Sequence, residues 1–255
     1  MDLHYRELGT GDVVVVLHGL LGTGDNWTGV ARALSGTYRV ILVDAPNHGK
    51  SPWTDAMDYR SQASAVAAFI DSLGLSRVRL VGHSMGGKTA MAVSLQRPEL
   101  VERAVVVDIA PKRYEPSHER ILTAMETLAG AAPESRREAD GILSENGIAD
   151  SMVRAFLLKS FRIDGPEGPG WKLNLPVIRR EYRSLIDWPD FGEARYDGRV
   201  GVLYGSRSSY VSEDDRSLFT GYFPSTIMRR IDGAGHWVHA DKPREVTSAL
   251  FEMLQ

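Results

Sequence analysis

Val78-Arg79-Leu80-Val81-Gly82-His83-Ser84-Met85-Gly86-Gly87-Lys88 is the stretch that decides the reading of this chain. Its first four residues suit a strand. The residues that follow, Met85–Gln96, are rich in alanine, methionine and leucine and suit a helix. Between the two stands G-x-S-x-G, from Gly82 to Gly86. A strand that turns sharply into a helix at such a serine lifts the hydroxyl above the sheet edge. The glycines give room for the turn and for close helix–strand approach. The helix N-terminus also favours negative charge there. The bare pattern is weak, since an ordinary Gly/Ser turn can match it. Its place between strand and helix makes Ser84 a candidate nucleophile.

Similar strand-like runs lie on both sides. Asp12–Leu17 is continuous and β-branched, as suits a strand buried on both faces of a parallel sheet. Residues 38–43, 104–107, 200–204 and 226–231 repeat the type, and residues 3–8 read as an antiparallel edge strand. Helical spacing of apolar residues recurs over 26–34, 59–73 and 244–254. Alternating strands and helices imply a doubly wound, mostly parallel α/β sheet.

The alternation lapses between Pro111 and about Tyr196. Residues 118–128, 134–144, 149–161 and 175–186 read as helices, with a Gly/Pro loop over 165–170 and no strand-like run. The expectation is a core of residues 1–110 and 197–255, interrupted after the sixth strand by a helical cap over 111–196. Phe156, Leu157, Leu158, Phe161, Trp171, Leu173 and Trp188 divide between packing the cap and lining an acyl pocket, mostly the former. Arg154, Lys159, Arg162 and Lys172 read as a solvated face, or as a grip on an acidic substrate. For Lys88, solvation on the helix surface is the default.

A nucleophilic serine needs a base, an orienting acid and an oxyanion site. His236 stands in Asp232-Gly233-Ala234-Gly235-His236-Trp237, after the last strand, where the glycines let a loop carry an imidazole over the sheet. His239 is its nearest rival. The usual acid position, after the strand at 200–204, holds Ser208, which carries no charge. Asp108 ends the preceding strand at the same sheet edge and is the preferred acid, with Ser208 as a hydrogen-bond partner. Asp214 and Asp215 are the alternatives, although Ser212 reads as a cap to a helix beginning there. His18-Gly19-Leu20-Leu21-Gly22 follows the first long strand. Such a loop supplies one oxyanion donor and the residue after the nucleophile supplies the other. These are the backbone N–H groups of Leu20 and Met85. His18 reads as a loop-shaping residue, and His83 as a neighbour that faces away from the reaction.

Composition narrows the classes. The 255 residues are 43% hydrophobic and 25% charged, with a net charge of −3 and no cysteine. The apolar fraction is that of a globular protein. Absence of cysteine excludes disulfides, thiolate metal sites and a cysteine nucleophile, and fits a reducing cytoplasm. Slight acidity without a basic stretch argues against a nucleic-acid partner. The N-terminal residues do not read as a secretory signal, and the apolar runs fall short of the ~20 residues of a membrane span. No metal or cofactor is called for, and the sequence leaves monomer and dimer open.

Taken together, HGLLG at 18–22, DAP and NHGKS within 44–51, GHSMGGK at 82–88, DIAP at 108–111, FLLKSF at 156–161, SYVSE at 209–213 and GAGHWVHA at 233–240 resemble the α/β-hydrolase superfamily, and more closely its YbfF-type bacterial esterases. The resemblance runs from the first strand to the last helix. It implies a sheet with a helical cap, hydrolysis of small-molecule acyl esters or thioesters, and an acid at Asp108 with serine at the later position. A serine nucleophile excludes the dehalogenase and epoxide-hydrolase chemistries of this fold, which need a carboxylate there. A non-catalytic ligand-binding module is the alternative from another class.

Overall fold

The computed structural model describes residues 2–164 and 168–255. Five strands come first: β1 (Tyr5–Leu8), β2 (Asp12–Leu17), β3 (Tyr38–Val43), β4 (Val78–His83) and β5 (Val101–Val107). Helices α1 (Thr28–Leu34), α2 (Tyr59–Ser72) and α3 (Met85–Gln96) lie between them. The next stretch holds α4 (Glu119–Ala131), α5 (Arg136–Glu145), α6 (Ser151–Lys159), the short strands β6 (Phe161–Arg162) and β7 (Gly170–Trp171), α7 (Leu175–Arg180) and α8 (Tyr182–Ile186). The chain then completes the sheet with β8 (Arg199–Gly205) and β9 (Thr226–Ile231), alongside α9 (Arg216–Tyr222), α10 (Val238–Asp241) and α11 (Pro243–Leu254).

The main sheet has the order β1-β3-β2-β4-β5-β8-β9. Only β1 runs antiparallel, paired with β3 at the edge; the other pairings are parallel. The alternation of side chains explains why the central strands are apolar throughout. Val15, Leu17, Ile41, Val43, Leu80 and Val106 face one core with Ala63, Val66, Ile70 and Met91. Val14, Val16, Val40, Leu42, Val81, Val105 and Val107 face the other, with Val30, Leu34, Val246 and Leu250. Both faces are therefore covered, and the loops that remain free lie at the strand ends, where such sheets place their sites.

The helical stretch follows β5, the fifth strand and not the sixth. Among the described residues no strand precedes β1. The stretch also contains the β6–β7 pair, in which Phe161 lies opposite Trp171, an unexpected hairpin. The two rings meet edge to face at 4.8 Å, and Trp171 Nε1–H donates to the Met125 carbonyl of α4 (3.0 Å). Aromatic packing thus holds two strands too short to announce themselves by periodicity. Of the loop expected over 165–170, residues 165–167 lie outside the described residues. The helix expected over 175–186 breaks at Glu181, and Tyr182 turns inward so that its hydroxyl accepts from the backbone N–H groups of Ser117 (3.0 Å) and His118 (2.8 Å).

This stretch is bonded to the sheet and its helices at several points. Tyr59 Oη donates to Leu185 O (2.6 Å). Lys88 Nζ donates to Asp187 O (2.7 Å). Asn174 pairs with Asn47 through backbone (2.9 Å) and side chain (3.0 Å). Among the described residues, no helix is long and apolar enough to cross a membrane.

Candidate active site

Ser84 sits between β4 and α3 with φ 51° and ψ −118°, a conformation that side chains other than glycine rarely adopt and that is strained by roughly 1–3 kcal/mol. The turn is held from both sides. Ser84 N–H donates to Val107 O of β5 (3.0 Å), and Ser84 O accepts from Gly87 N–H (2.9 Å) and Lys88 N–H (3.1 Å). A Cβ on Gly82 would overlap the Gly86 carbonyl, and one on Gly86 would overlap the Leu17 carbonyl. The G-x-S-x-G glycines are therefore required by backbone contact across the turn.

Asp108 follows β5 and also has a positive φ, 54°. Its N–H donates to Leu203 O (2.8 Å), so the sheet edge fixes its backbone. The side chain is fully buried. Oδ1 accepts from Gly205 N–H (3.0 Å), and Oδ2 accepts from the Ser208 hydroxyl and from His236 Nδ1 (2.7 Å). A buried carboxylate requires partners of this kind. In the neutral ring, Nδ1–H donating to Asp108 leaves the lone pair on Nε2.

His236 is held by two further contacts, and the residue before it by a third. The Tyr210 ring stacks on the imidazole with centroids 3.9 Å apart. His83 Nε2–H donates to His236 O (2.9 Å). Gly235 N–H donates to Asp241 Oδ2 (2.7 Å). His83 is buried, and burial, reinforced by the neighbouring His236 and His239, keeps its pKa well below the ordinary histidine value. His239 stacks on Trp27 at 4.3 Å, and burial lowers its pKa to about 4. Asp215 is committed elsewhere: it accepts from Ser212 N–H (3.0 Å) and pairs with Lys112 (2.6 Å). Asp214 lies exposed on the same short turn. The structure thus brings His236 to Asp108.

The loop carrying Leu20 is braced by two buried histidines. Ala45 N–H donates to His18 Nε2 (3.0 Å), so His18 Nδ1 carries the proton and donates to Gly19 O (2.8 Å). Leu21 N–H donates to His48 Nε2 (3.2 Å), so His48 Nδ1–H donates to Pro46 O (3.0 Å). Both rings are neutral. Burial pulls the His18 pKa down, and burial with the neighbouring His18 pulls His48 down to about 3. Met85 opens α3, where the first N–H groups have no partner within the helix.

Lys88 departs from the solvated position expected for it. It is 1% exposed and faces the α8 end, donating to Ile186 O (3.2 Å) and Asp187 O (2.7 Å). Its ammonium also lies over the rings of Tyr59 (5.3 Å) and Tyr114 (4.8 Å). Burial lowers its pKa to about 7. The sequence offered no signal for this, because the carbonyls and rings that receive it lie far along the chain. Tyr210 and Tyr114 were missed for the same reason. Tyr114 Oη accepts from Ala110 N–H (2.7 Å) and donates to Tyr210 O (2.9 Å), which links the Asp108 loop to the ring over His236.

A cavity of about 360 Å³ is lined by both Ser84 and His236, with Leu20, Trp27, Phe156 and Trp237 on its walls. Of the seven apolar residues singled out above, Phe156 and Leu157 line it; Leu158, Phe161, Trp171 and Leu173 are buried, and Trp188 packs against the same core.

A strained serine at a strand–helix turn, a histidine bonded to a buried aspartate and one cavity bordered by serine and histidine make up the candidate active site. The chain belongs to the α/β-hydrolase family: residues 12–139 match the alpha/beta hydrolase fold, and full-length relatives agree. It is 34% identical to the esterase YbfF of Escherichia coli, over 93% of this chain and 91% of that protein. It is 38% identical to the sn-1-specific diacylglycerol lipase of Xenopus laevis, over 100% of this chain and 84% of that one. A solved marine microorganism esterase superposes with a TM-score of 0.95 at 34% identity, covering 99% of each chain. The protein is a carboxylesterase-type hydrolase.

Proposed function

We propose that the protein cleaves carboxylic esters of small to medium acyl groups through an acyl-enzyme intermediate on Ser84. The observation that carries this reading is the Asp108–His236 contact at 2.7 Å on the cavity that Ser84 lines. His236 Nε2 takes the Ser84 hydroxyl proton as Oγ attacks the ester carbonyl. The N–H groups of Leu20 and Met85 receive the oxyanion, each such donor contributing about 2.7–4 kcal/mol of barrier lowering. The imidazolium, stabilised by Asp108, protonates the departing alcohol. Water then repeats the sequence and frees the acid. Ser208 holds the second proton-accepting position of Asp108 Oδ2. Residues 111–196 act as a cap over the centre formed by 1–110 and 197–255.

The same centre can serve thioesters. The ester reading is preferred because the similar proteins are named esterases and a lipase. Arg154 is already bonded to Asp140 (2.8 Å) and to the carbonyls of Ile148 and Ala149, whereas Lys159 lines the cavity and is the cation that a phosphorylated thiol carrier would meet. The test is hydrolysis of a panel of p-nitrophenyl esters and acyl-CoAs, with Ser84→Ala alongside. Turnover of esters that Ser84→Ala abolishes supports the proposal. Binding without turnover of any acyl substrate overturns it in favour of a ligand-binding module.

A further inference from the structure

Ser84 borders two cavities. The larger, about 360 Å³, is lined by Ser84, His236, Trp237 and apolar side chains of α6. The smaller, about 40 Å³, is lined by Ser84, Met85, Lys88, Tyr210 and Ile186, and does not include His236 among its lining residues. Leu20, Ser84 and His118 border both. From this division we infer that the small cavity is the acyl subsite and admits only short aliphatic acyl groups, while the large cavity takes the alcohol. The inference rests on the ester-cleaving reading above.

The assignment follows from where protons must go. The departing alcohol oxygen must lie within hydrogen-bond reach of the imidazole that protonates it. The alcohol therefore occupies the cavity that His236 lines. When it leaves, the water that attacks the acyl-enzyme enters on that same side and meets the same base. The acyl substituent diverges from the alcohol at the carbonyl carbon and falls into the other cavity.

The size of that cavity sets the limit. A water-sized group needs roughly 10–15 Å³ of such space, so about 40 Å³ holds about three or four groups beyond the carbonyl carbon, which puts the limit just past butyryl. Its walls are set by the fold. Tyr59 Oη is bonded to Leu185 O (2.6 Å), and Lys88 is bonded to Ile186 O and Asp187 O, so the floor joins α2, α3 and α8. The Lys88 charge is already met by two carbonyls and two tyrosine rings, so it does not call for a carboxylate on the acyl chain.

Two ester series test this with the wild-type protein. In one, p-nitrophenol is constant and the acyl group runs from acetyl through butyryl to octanoyl. In the other, acetate is constant and the alcohol runs from ethanol to octanol, followed by acid release. The expected result is that kcat/KM falls by about tenfold or more from butyryl to octanoyl but holds or rises from ethyl to octyl acetate. Ile186→Ala, which widens the floor, is expected to move the fall to longer acyl chains, and an unmoved fall overturns the subsite assignment. Rising kcat/KM towards octanoyl, or parallel behaviour of the two series, overturns the subsite assignment and leaves the esterase reading standing. Failure to hydrolyse any member of either series overturns both.

Discussion

His236 Nδ1 and Asp108 Oδ2 stand 2.7 Å apart although 128 residues separate them, and the carboxylate at that contact is fully buried. The carboxylate reaches His236 from the end of β5, not from the turn after β8, where Ser208 stands. Asp108→Asn keeps the shape and removes the charge that fixes the tautomer and stabilises the imidazolium. The expected loss in kcat is about 10³–10⁴-fold. Asp214→Asn is expected to change kcat by less than about twofold, since a surface carboxylate has no partner to strand. Ser208→Ala removes one hydrogen bond to a charged group, about 1.5 kcal/mol or about tenfold in rate. Steady-state kinetics with p-nitrophenyl acetate checks all three, and equal small losses at Asp108 and Asp214 would remove Asp108 from the mechanism.

Lys88 makes stability depend on pH above neutrality. Its pKa is about 7 in the folded protein against about 10.4 in an unfolded chain. Between those values the unfolded state binds the extra proton, so unfolding free energy rises with pH by up to about 1.4 kcal/mol per unit. Below pH 7 both states are protonated, and the folded protein carries the full penalty of the buried charge. Lys88→Met is expected to lose that rise. Urea denaturation at pH 7, 8 and 9 compares the two slopes, and identical slopes would contradict the prediction.

His48 acts in a different window. Its folded pKa is about 3 and its unfolded value about 6.5. Its contribution is fully present above pH 6.5 and is lost as pH falls through the unfolded value towards the folded one, because the unfolded state then takes the proton first. His18, also held low by burial, acts with the same sign. Wild-type denaturation midpoints should fall between pH 7 and pH 5. His48→Gln should be less stable at pH 7 and should lose part of that acid dependence. An unchanged dependence would mean that His48 is not neutral in the fold.

The parts of this architecture that were legible in sequence are those fixed by local pattern. Asp12–Leu17 reads as a strand covered on both faces, and Gly82 and Gly86 mark a turn in which no side chain fits. The placement of Asp108 at the sheet edge shared with Ser84 was legible by position, since adjacent parallel strands end at one edge. What escaped depends on partners distant in sequence. Lys88 looks like any helix lysine until the α8 carbonyls and two tyrosine rings surround it. The β6–β7 hairpin is held by packing between Phe161 and Trp171, which two-residue strands cannot advertise. Tyr210 reads as a loop aromatic, and nothing in its neighbours shows that its ring will cover His236.

Tyr210 supplies the sharpest test of how the imidazole is positioned. Its ring lies 3.9 Å from that of His236, nearly parallel, and its backbone is fixed by Tyr114 Oη at its carbonyl (2.9 Å) and by Ser208 Oγ at its N–H (3.2 Å). Stacking of this kind contributes about 0.5–1.5 kcal/mol, which corresponds to roughly two- to tenfold in rate if it is lost when His236 must be aligned. Tyr210→Ala is therefore expected to lower kcat by about that factor with little change in KM for p-nitrophenyl acetate. Tyr210→Phe retains the ring and should restore kcat to within about twofold. If Phe fails as badly as Ala, the hydroxyl and not the stacked face is what matters, and the positioning role assigned to the ring is wrong.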